Sequence, residues 1–187
     1  MHIYSKIYHF IDEFKENELE KIRLKNISII YRNYKNKIDI SKIIKLKKYC
    51  KKRRYRLFLA NNIRLAWKLD LDGSYIPSFN KNLIHKMFPP KKKFLLIGSS
   101  HNLSEIFFKK KQGCKEIFLS PIFLVKKQKN YLDLSRFRLL TRSVDVKIIA
   151  LGGINKENFK KLKISNASGF ASISYIKKNG PDKTGPL

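Results

Sequence analysis

The sequence predicts an α/β fold, a (β/α)8 TIM barrel, and three observations carry that prediction. Eight short runs rich in β-branched or aromatic residues recur at nearly even spacing, with polar stretches of helical period between them. Runs such as KIIALGG and KEIFLSPIF are almost continuously apolar, as parallel strands buried on both faces require. The chain is 187 residues long and 43% hydrophobic, which suits one domain with a real core. A doubly wound open sheet shares the alternation, because counting strands does not decide closure. The chain is also short for a barrel, whose usual minimum is about 200 residues.

Taken in order, the strand runs are Lys6–Phe14, Ile27–Asn33, Arg56–Asn61, Gly73–Ser78, Phe94–Ser100, Glu116–Ile122, Lys147–Gly153 and Gly169–Ile176. Helices or helical turns are expected over Glu16–Lys25, Ile38–Lys52, Asn62–Leu69, Lys81–Phe88, Asn102–Gln112, Leu132–Ser143 and Asn155–Lys163. The last run is followed only by KKNGPDKTGPL, whose Gly and Pro residues argue against a final helix. No low-complexity linker or close repeat divides the chain. One barrel over 1–178 with a tail over 179–187 is the expected organisation.

Lys and Arg number 42 against 14 Asp and Glu, a net charge of +28. Such an excess suggests nucleic acid or an anionic surface. Lys, Ile and Asn together supply 71 of the 187 residues, a bias that AT-rich coding produces without any polyanionic partner. The densest basic run, Leu46–Arg56, straddles a helix end and the start of a strand. In a barrel that is the stability face, and the RNP aromatic pattern is absent. Lys91–Lys93 and Lys109–Lys111 also precede strands and are expected on that side. Cys50 and Cys114 form no CxxC or Cys/His cluster, which points to a reducing cytosol. The opening MHIYSKIYHFIDEF has no signal-peptide apolar region, and no apolar run approaches a membrane span of about 20 residues. A soluble, cytoplasmic protein with no membrane partner is expected.

A barrel carries its chemistry at the C-terminal ends of its strands, often with a phosphate site after strands seven and eight. Those ends read Asp12, Arg32-Asn33, Asn61-Asn62, Pro77-Ser78, Ser99-Ser100-His101, Ser120-Pro121, Gly152-Gly153 and Ala171–Ser174. Gly152-Gly153 lets backbone N–H groups approach an anion closely, although a tight strand-to-helix turn needs the same pair. Arg32 has the fork to grip phosphate oxygens. Asn61 and Asn62 can address a heterocycle, and one of them is expected to cap the helix that begins at IRLAWKL. His101 is expected to be a structural hydrogen-bonder more readily than a proton carrier.

Four segments in order resemble the thiamine phosphate synthase family, a phosphate-binding barrel group that includes the thiazole tautomerases. They are LLIGSSHN (95–102), GCKEIFLSPIF (113–123), IIALGGIN (148–155) and NASGFASISYI (166–176), with weaker matches in IYRN (30–33) and LFLANNIRLAWKLDLDGSYIPS (57–78). The resemblance implies condensation of hydroxymethylpyrimidine diphosphate with thiazole phosphate to give thiamine phosphate and diphosphate. It implies catalytic roles for Arg32, on the diphosphate, Asn61, on the pyrimidine side, and Ser99, with Ser100 a near alternative for the serine before the histidine. Gly152, Gly153, Ile173 and Ser174 match the cradle for the thiazole phosphate. Asn62, Lys126 and Lys127 are the remaining expected substrate contacts, with Lys35 a further basic candidate.

The chain also departs from the pattern. The resemblance implies Mg²⁺ as a possible cofactor, yet the family's two Mg²⁺-binding aspartates fall at Asn62 and Asn80, and a hard cation wants carboxylate oxygens. The lysine after the family's arginine becomes Tyr34, and the Thr-x-Thr-Lys loop becomes Leu124-Val125-Lys126-Lys127. IPS (76–78) looks more like the tautomerase branch, which however uses a histidine where this chain has Pro121. The expected function is therefore a divergent thiamine phosphate synthase acting on small phosphorylated substrates, with no specific nucleic acid and homo-oligomerisation left open. The alternative is a catalytically degenerate paralogue that binds thiazole phosphate, thiamine phosphate or another small phosphate ester.

Overall fold

The computed structural model describes residues 6–22, 24, 26–34, 38–87, 92–125, 130–172 and 176. Eight parallel strands close into a barrel in sequence order: β1 Ile7–Ile11, β2 Ile27–Tyr31, β3 Arg56–Ala60, β4 Gly73–Ile76, β5 Leu95–Ser100, β6 Glu116–Leu119, β7 Lys147–Leu151 and β8 Gly169–Ser172. β8 returns to β1 with Phe170 opposite Ile7 and Ala171 opposite Tyr8, so the open doubly wound sheet is excluded. Between the strands lie α1 Glu16–Glu20, α2 Ile40–Arg53, α3 Ile63–Lys68, α4 Leu103–Lys111 and α5 Asp133–Arg142.

Alternation along each strand divides the buried residues into two cores. Tyr8, Phe10, Ile30, Phe58, Tyr75, Ile97, Phe118 and Ile149 fill the barrel interior. Their rings pack edge to face, with Phe10–Tyr75 at 5.2 Å and Tyr8–Phe118 at 4.9 Å between centroids. The outward residues, such as Ile29, Leu57, Ile117 and Ile148, meet the helices. α2 shows how the shell attaches: Ile43, Leu46, Tyr49 and Cys50 lie on its buried face, and the Asp39 side chain caps it by accepting from the Lys42 N–H. Its basic end, Lys51–Arg54, is exposed, as the sequence predicts.

Two expected helices are only 3-10 turns, Ile84–Met87 and Phe159–Ile164. Asparagine side chains divert the backbone there. Asn80 Oδ1 accepts from the Asn82 N–H at 2.8 Å, Asn82 Oδ1 from the Ile84 N–H at 2.7 Å, and Asn155 Oδ1 from the N–H groups of Glu157 and Asn158. The helix expected over Glu16–Lys25 stops at Glu20. The expected absence of a final helix falls on residues outside those described. One placement is corrected: Lys109 is not on a solvated stability face but 0% exposed, its ammonium reaching the loop after β4.

The N-terminal end of the barrel is plugged by a polar cluster. Glu116, 3% exposed, accepts hydrogen bonds from the Lys6 ammonium and the Tyr8 hydroxyl. Arg56 donates to Ser28 Oγ at 3.2 Å and lies 5.7 Å above the Phe58 ring. Burial first, and then the Glu116 charge, push the Tyr8 hydroxyl far above its ordinary range, so it remains a donor.

Candidate functional site

The mouth at the C-terminal ends is organised around Tyr75, the last inward residue of β4 and only 6% exposed. Its backbone carbonyl accepts the Asn61 N–H at 2.8 Å, and its ring packs on Phe10. Burial raises its pKa, and the nearby Ser99 side chain and the Arg32 charge pull the other way. Sequence reasoning did not single Tyr75 out. The available signal was its phase: it lies two residues beyond Gly73, inward like Phe58 on the neighbouring strand.

Arg32 follows β2, and its N–H donates to the Ile11 carbonyl at 2.7 Å, fixing where the side chain leaves the barrel. Nε and Nη2 bond Asp12 Oδ1 and Oδ2 at 2.9 and 3.3 Å, and the guanidinium lies 5.5 Å above the Phe10 ring. The bond to Asp12 holds the Arg32 pKa above its ordinary value. Two of its five N–H donors are thus engaged on Asp12, and among the described residues the other three have no hydrogen-bond partner. Asp12 appears in the sequence only as a strand end, so its role as the partner that aims Arg32 was not foreseen. Nearby, Tyr34 and Phe79 are exposed and meet edge to face at 5.9 Å. Although the side chain is half exposed, desolvation of the Tyr34 hydroxyl is the largest cause lifting it above its ordinary range, so it is a neutral donor.

Asn61 sits in left-handed backbone at φ 58° and accepts from Asn80 Nδ2 at 2.7 Å. Asn62 is the N-cap of α3, its Oδ1 accepting from the Leu65 N–H at 3.0 Å. Ser99 points into the barrel, whereas Ser100 takes the opposite face of β5 and is 0% exposed with its hydroxyl among the outer packing. The mouth therefore includes Ser99 and not the Ser100 side chain. His101 Nδ1 pairs with the Ser120 carbonyl at 2.8 Å and Nε2 with Ser78 Oγ at 3.3 Å, so its ring ties three loops together.

Gly152 and Gly153 hold φ of 95° and 70°. A Cβ on Gly152 would come 2.7 Å from Pro121 Cβ, and one on Gly153 would come 2.5 Å from the Phe123 carbonyl oxygen. The pair is needed both for its backbone conformation and for close contact with the loop after β6. Phe123 N–H donates to the Gly152 carbonyl at 3.2 Å, which locks the two loops together. Lys35, Lys126, Lys127, Ile173 and Ser174 lie outside the described residues. A cavity of about 800 Å³ opens at the other end of the barrel beside Leu95, Cys114, Lys115 and Lys147, away from all these residues.

The mouth offers, among the described residues, no carboxylate set of the kind Mg²⁺ prefers. Among the described residues no three Asp, Glu, His or Cys side chains gather as a metal cluster. Asn62 Oδ1 is occupied by its helix cap and Asn80 Oδ1 by the Asn82 N–H, so the two amide oxygens at the aspartate-like positions are already engaged. What the arrangement offers is cationic and neutral hydrogen-bond donors on a rigid aromatic floor, which suits an anionic ligand carrying a planar ring. Among the described residues no helix is long and apolar enough to cross a membrane.

Comparison with known proteins agrees with this layout. The profile described as "Thiamine monophosphate synthase" matches residues 13–176. A thiamine-phosphate synthase of Prochlorococcus marinus subsp. pastoris is 30% identical over 183 residues, 92% of this chain and 51% of that protein. The chain thus spans about half the length of that relative. A putative thiamine-phosphate synthase 2 of Aquifex aeolicus is 28% identical over 91% of this chain and 97% of its own length. In fold, a thiamine phosphate pyrophosphorylase from Pyrococcus furiosus superposes with a TM-score of 0.71 at 18% identity, covering 92% of this chain and 90% of that one. With the barrel closed and the profile spanning all but its first strand, the chain belongs to the thiamine monophosphate synthase family.

Proposed function

We propose that the mouth joins hydroxymethylpyrimidine diphosphate to thiazole phosphate, giving thiamine phosphate and diphosphate. The observation that carries this reading is the aimed Arg32: Asp12 and Phe10 hold it near Tyr75, at the end of the barrel that also carries Ser99 and the Asn61–Asn80 pair. In the reaction the bond between the pyrimidine methylene carbon and the diphosphate oxygen breaks, and the oxygen keeps the electron pair. The thiazole nitrogen then donates its lone pair to that carbon. Charge separation dominates such a barrier, so preorganised donors on the departing diphosphate supply most of the gain. The three open N–H groups of Arg32 serve there, and Asn61, Ser99 and Tyr75 orient the ring. Purified protein given both substrates, first in EDTA and then with Mg²⁺, should form thiamine phosphate in both. No product at high enzyme concentration would sink this reading.

One observation favours a second reading, a paralogue that holds a phosphate ester without turnover. Asn61, Asn62 and Asn80 are engaged with one another or with backbone, with no carboxylate among them. It predicts a rise in melting temperature with thiazole phosphate or thiamine phosphate that Gly153→Asp abolishes, and no condensation.

A further inference from the structure

Lys109 occupies the last turn of α4, 0% exposed, three residues after the equally buried Ile106. Its Nζ donates to the carbonyl oxygens of Pro77 at 2.7 Å and Asn80 at 2.8 Å, and to Gln112 Oε1 at 2.8 Å. Three donors thus meet three acceptors, and none is a carboxylate. The charge is hydrogen-bonded but not neutralised. A cation buried this way is costly, and an apolar side chain at the same position would avoid the cost.

The surroundings are shaped to hold it. A Cβ on Gly98 of β5 would stand 2.9 Å from Lys109 Cδ, so the lysine stem runs through space that only a glycine leaves. Gln112, also 0% exposed, donates to the Asn80 and Asn82 carbonyls at 3.1 and 2.8 Å. His85 closes the same loop onto the Gln112 carbonyl at 2.6 Å. Asn80 then reaches the mouth, its Nδ2 donating to Asn61 Oδ1. Two hydrogen bonds therefore connect the buried ammonium, through Asn80, to a residue of the proposed site. Burial draws the Lys109 pKa down to about 8, which leaves it mostly charged at neutral pH. The other charged or titratable groups acting on it are Cys114, Lys81 and Glu105, and Glu105 is itself occupied by the His101 N–H.

We propose that Lys109 is a positioning residue that gives the mouth a fixed, water-shielded positive charge. It holds residues 77–82 so that Asn80 meets Asn61, and its uncompensated charge favours a diphosphate bound above that segment. This chain thereby supplies with a lysine what carboxylates at positions 62 and 80 would supply through a bound cation. The proposal rests on reading the mouth as a diphosphate site.

Its test uses inorganic diphosphate as the probe, titrated calorimetrically in EDTA at pH 7 and at two salt concentrations. Lys109→Met should bind on the order of tenfold more weakly at both, because a buried charge is little screened. Lys81→Met, which removes an exposed lysine of the same loop, should lose less, and only at low salt. Lys109→Arg should recover most of the affinity. Amide hydrogen exchange over Phe79–Asn82 should quicken in Lys109→Met. Should that variant not fold, Lys109→Gln keeps a donor for the Asn80 carbonyl and removes the charge, and it carries the same expectations. Wild-type affinity and unchanged exchange in the neutral variant would overturn the proposal while leaving the reading of the mouth intact. A wild-type protein that does not bind diphosphate would overturn that reading, and the charge role with it.

Discussion

At the N-terminal end of the barrel Glu116 is buried with the Lys6 ammonium and the Tyr8 hydroxyl on its two oxygens, and Arg56 sits close by against Ser28. At the C-terminal end, Arg32 pairs with the exposed Asp12, while Asn61, Asn62 and Asn80 stand where carboxylates could, and Lys109 lies beneath them with no counter-ion contact among the described residues. Both ends are polar and both are held by inward side chains of the same eight strands. The difference is compensation of the buried charge: Glu116 is closed by an ammonium and a hydroxyl, whereas the Lys109 ammonium meets only neutral oxygens and Arg32 keeps donors beyond those on Asp12. Closed pairs fix a fold, and unspent ones recruit a ligand. On this view the net charge of +28 is mostly exposed drift, and the functional share of it is a few cations that the barrel aims or buries.

Substitutions at the two ends should therefore separate stability from function. The largest expected effect is at the mouth. Arg32→Ala should lower kcat/KM for thiamine phosphate formation by about 10³, roughly 4 kcal/mol of transition-state stabilisation. Its unfolding free energy should fall by less than about 1 kcal/mol, because the ion pair with Asp12 is half exposed. Glu116→Ala should behave in the opposite way. It leaves the Lys6 ammonium and the Tyr8 hydroxyl without their acceptor, at a cost of about 3 kcal/mol in denaturant unfolding, with kcat/KM of the folded protein unchanged. Equal losses of both quantities in either variant would erase the distinction between the ends.

The strands could be read from sequence because each is a short apolar run of fixed length, and their C-terminal ends placed Arg32, Asn61, Ser99 and the two glycines on one face. Partnerships across the barrel could not be read. Lys109 lies in the run KKKQG, which looks like any solvated helix end, and its two backbone acceptors are 29 and 32 residues away. The clue was its spacing from Ile106, which puts both on one helix face. Ser99 and Ser100 were nearly equivalent as letters, and only the register of β5 separates them. Asn62 was expected to divide between cap and ligand, and its oxygen serves the cap.

The pH dependence of stability sharpens the comparison, since Lys109 and the buried thiols act with opposite sign. The folded pKa of Lys109, about 8, lies below the ordinary lysine value of 10.5. Between these values the unfolded chain holds the proton more tightly, so this group's contribution to stability rises with pH. Cys50 and Cys114, each pushed by burial to about 12 from 9, release their protons first when unfolded and lower stability as pH rises above 9. The wild-type curve mixes the two. Because the Lys109 charge also acts on Cys114, the comparison is made between Cys114→Ala and Lys109→Met/Cys114→Ala. That difference should grow in favour of the protein that keeps the lysine by about 2–3 kcal/mol between pH 7.5 and 10.5. A flat difference would mean that the three carbonyl acceptors keep the ammonium charged throughout.

Gly153→Ala should come next, near 2 kcal/mol, from the strain of a Cβ at φ 70° and its collision with the Phe123 and Leu124 carbonyls. It should also displace the loop after β6, visible as a weaker melting shift with thiazole phosphate.

The smallest effect tests whether an asparagine of the mouth belongs to the fold or to the ligand. Asn62→Ala removes the side-chain acceptor of the Leu65 N–H and should cost about 1 kcal/mol, the usual worth of an N-cap. Asn62→Asp keeps an equally good cap, so its unfolding free energy should stay at the wild-type value. It also brings a negative charge to the end of the barrel that has none to spare. Diphosphate affinity in EDTA should then fall a few-fold while the melt is unchanged, a combination that no substitution at the closed end should produce. If Asn62→Asp binds diphosphate as well as the wild type, position 62 serves helix α3 alone and the ligand contacts begin at Asn61.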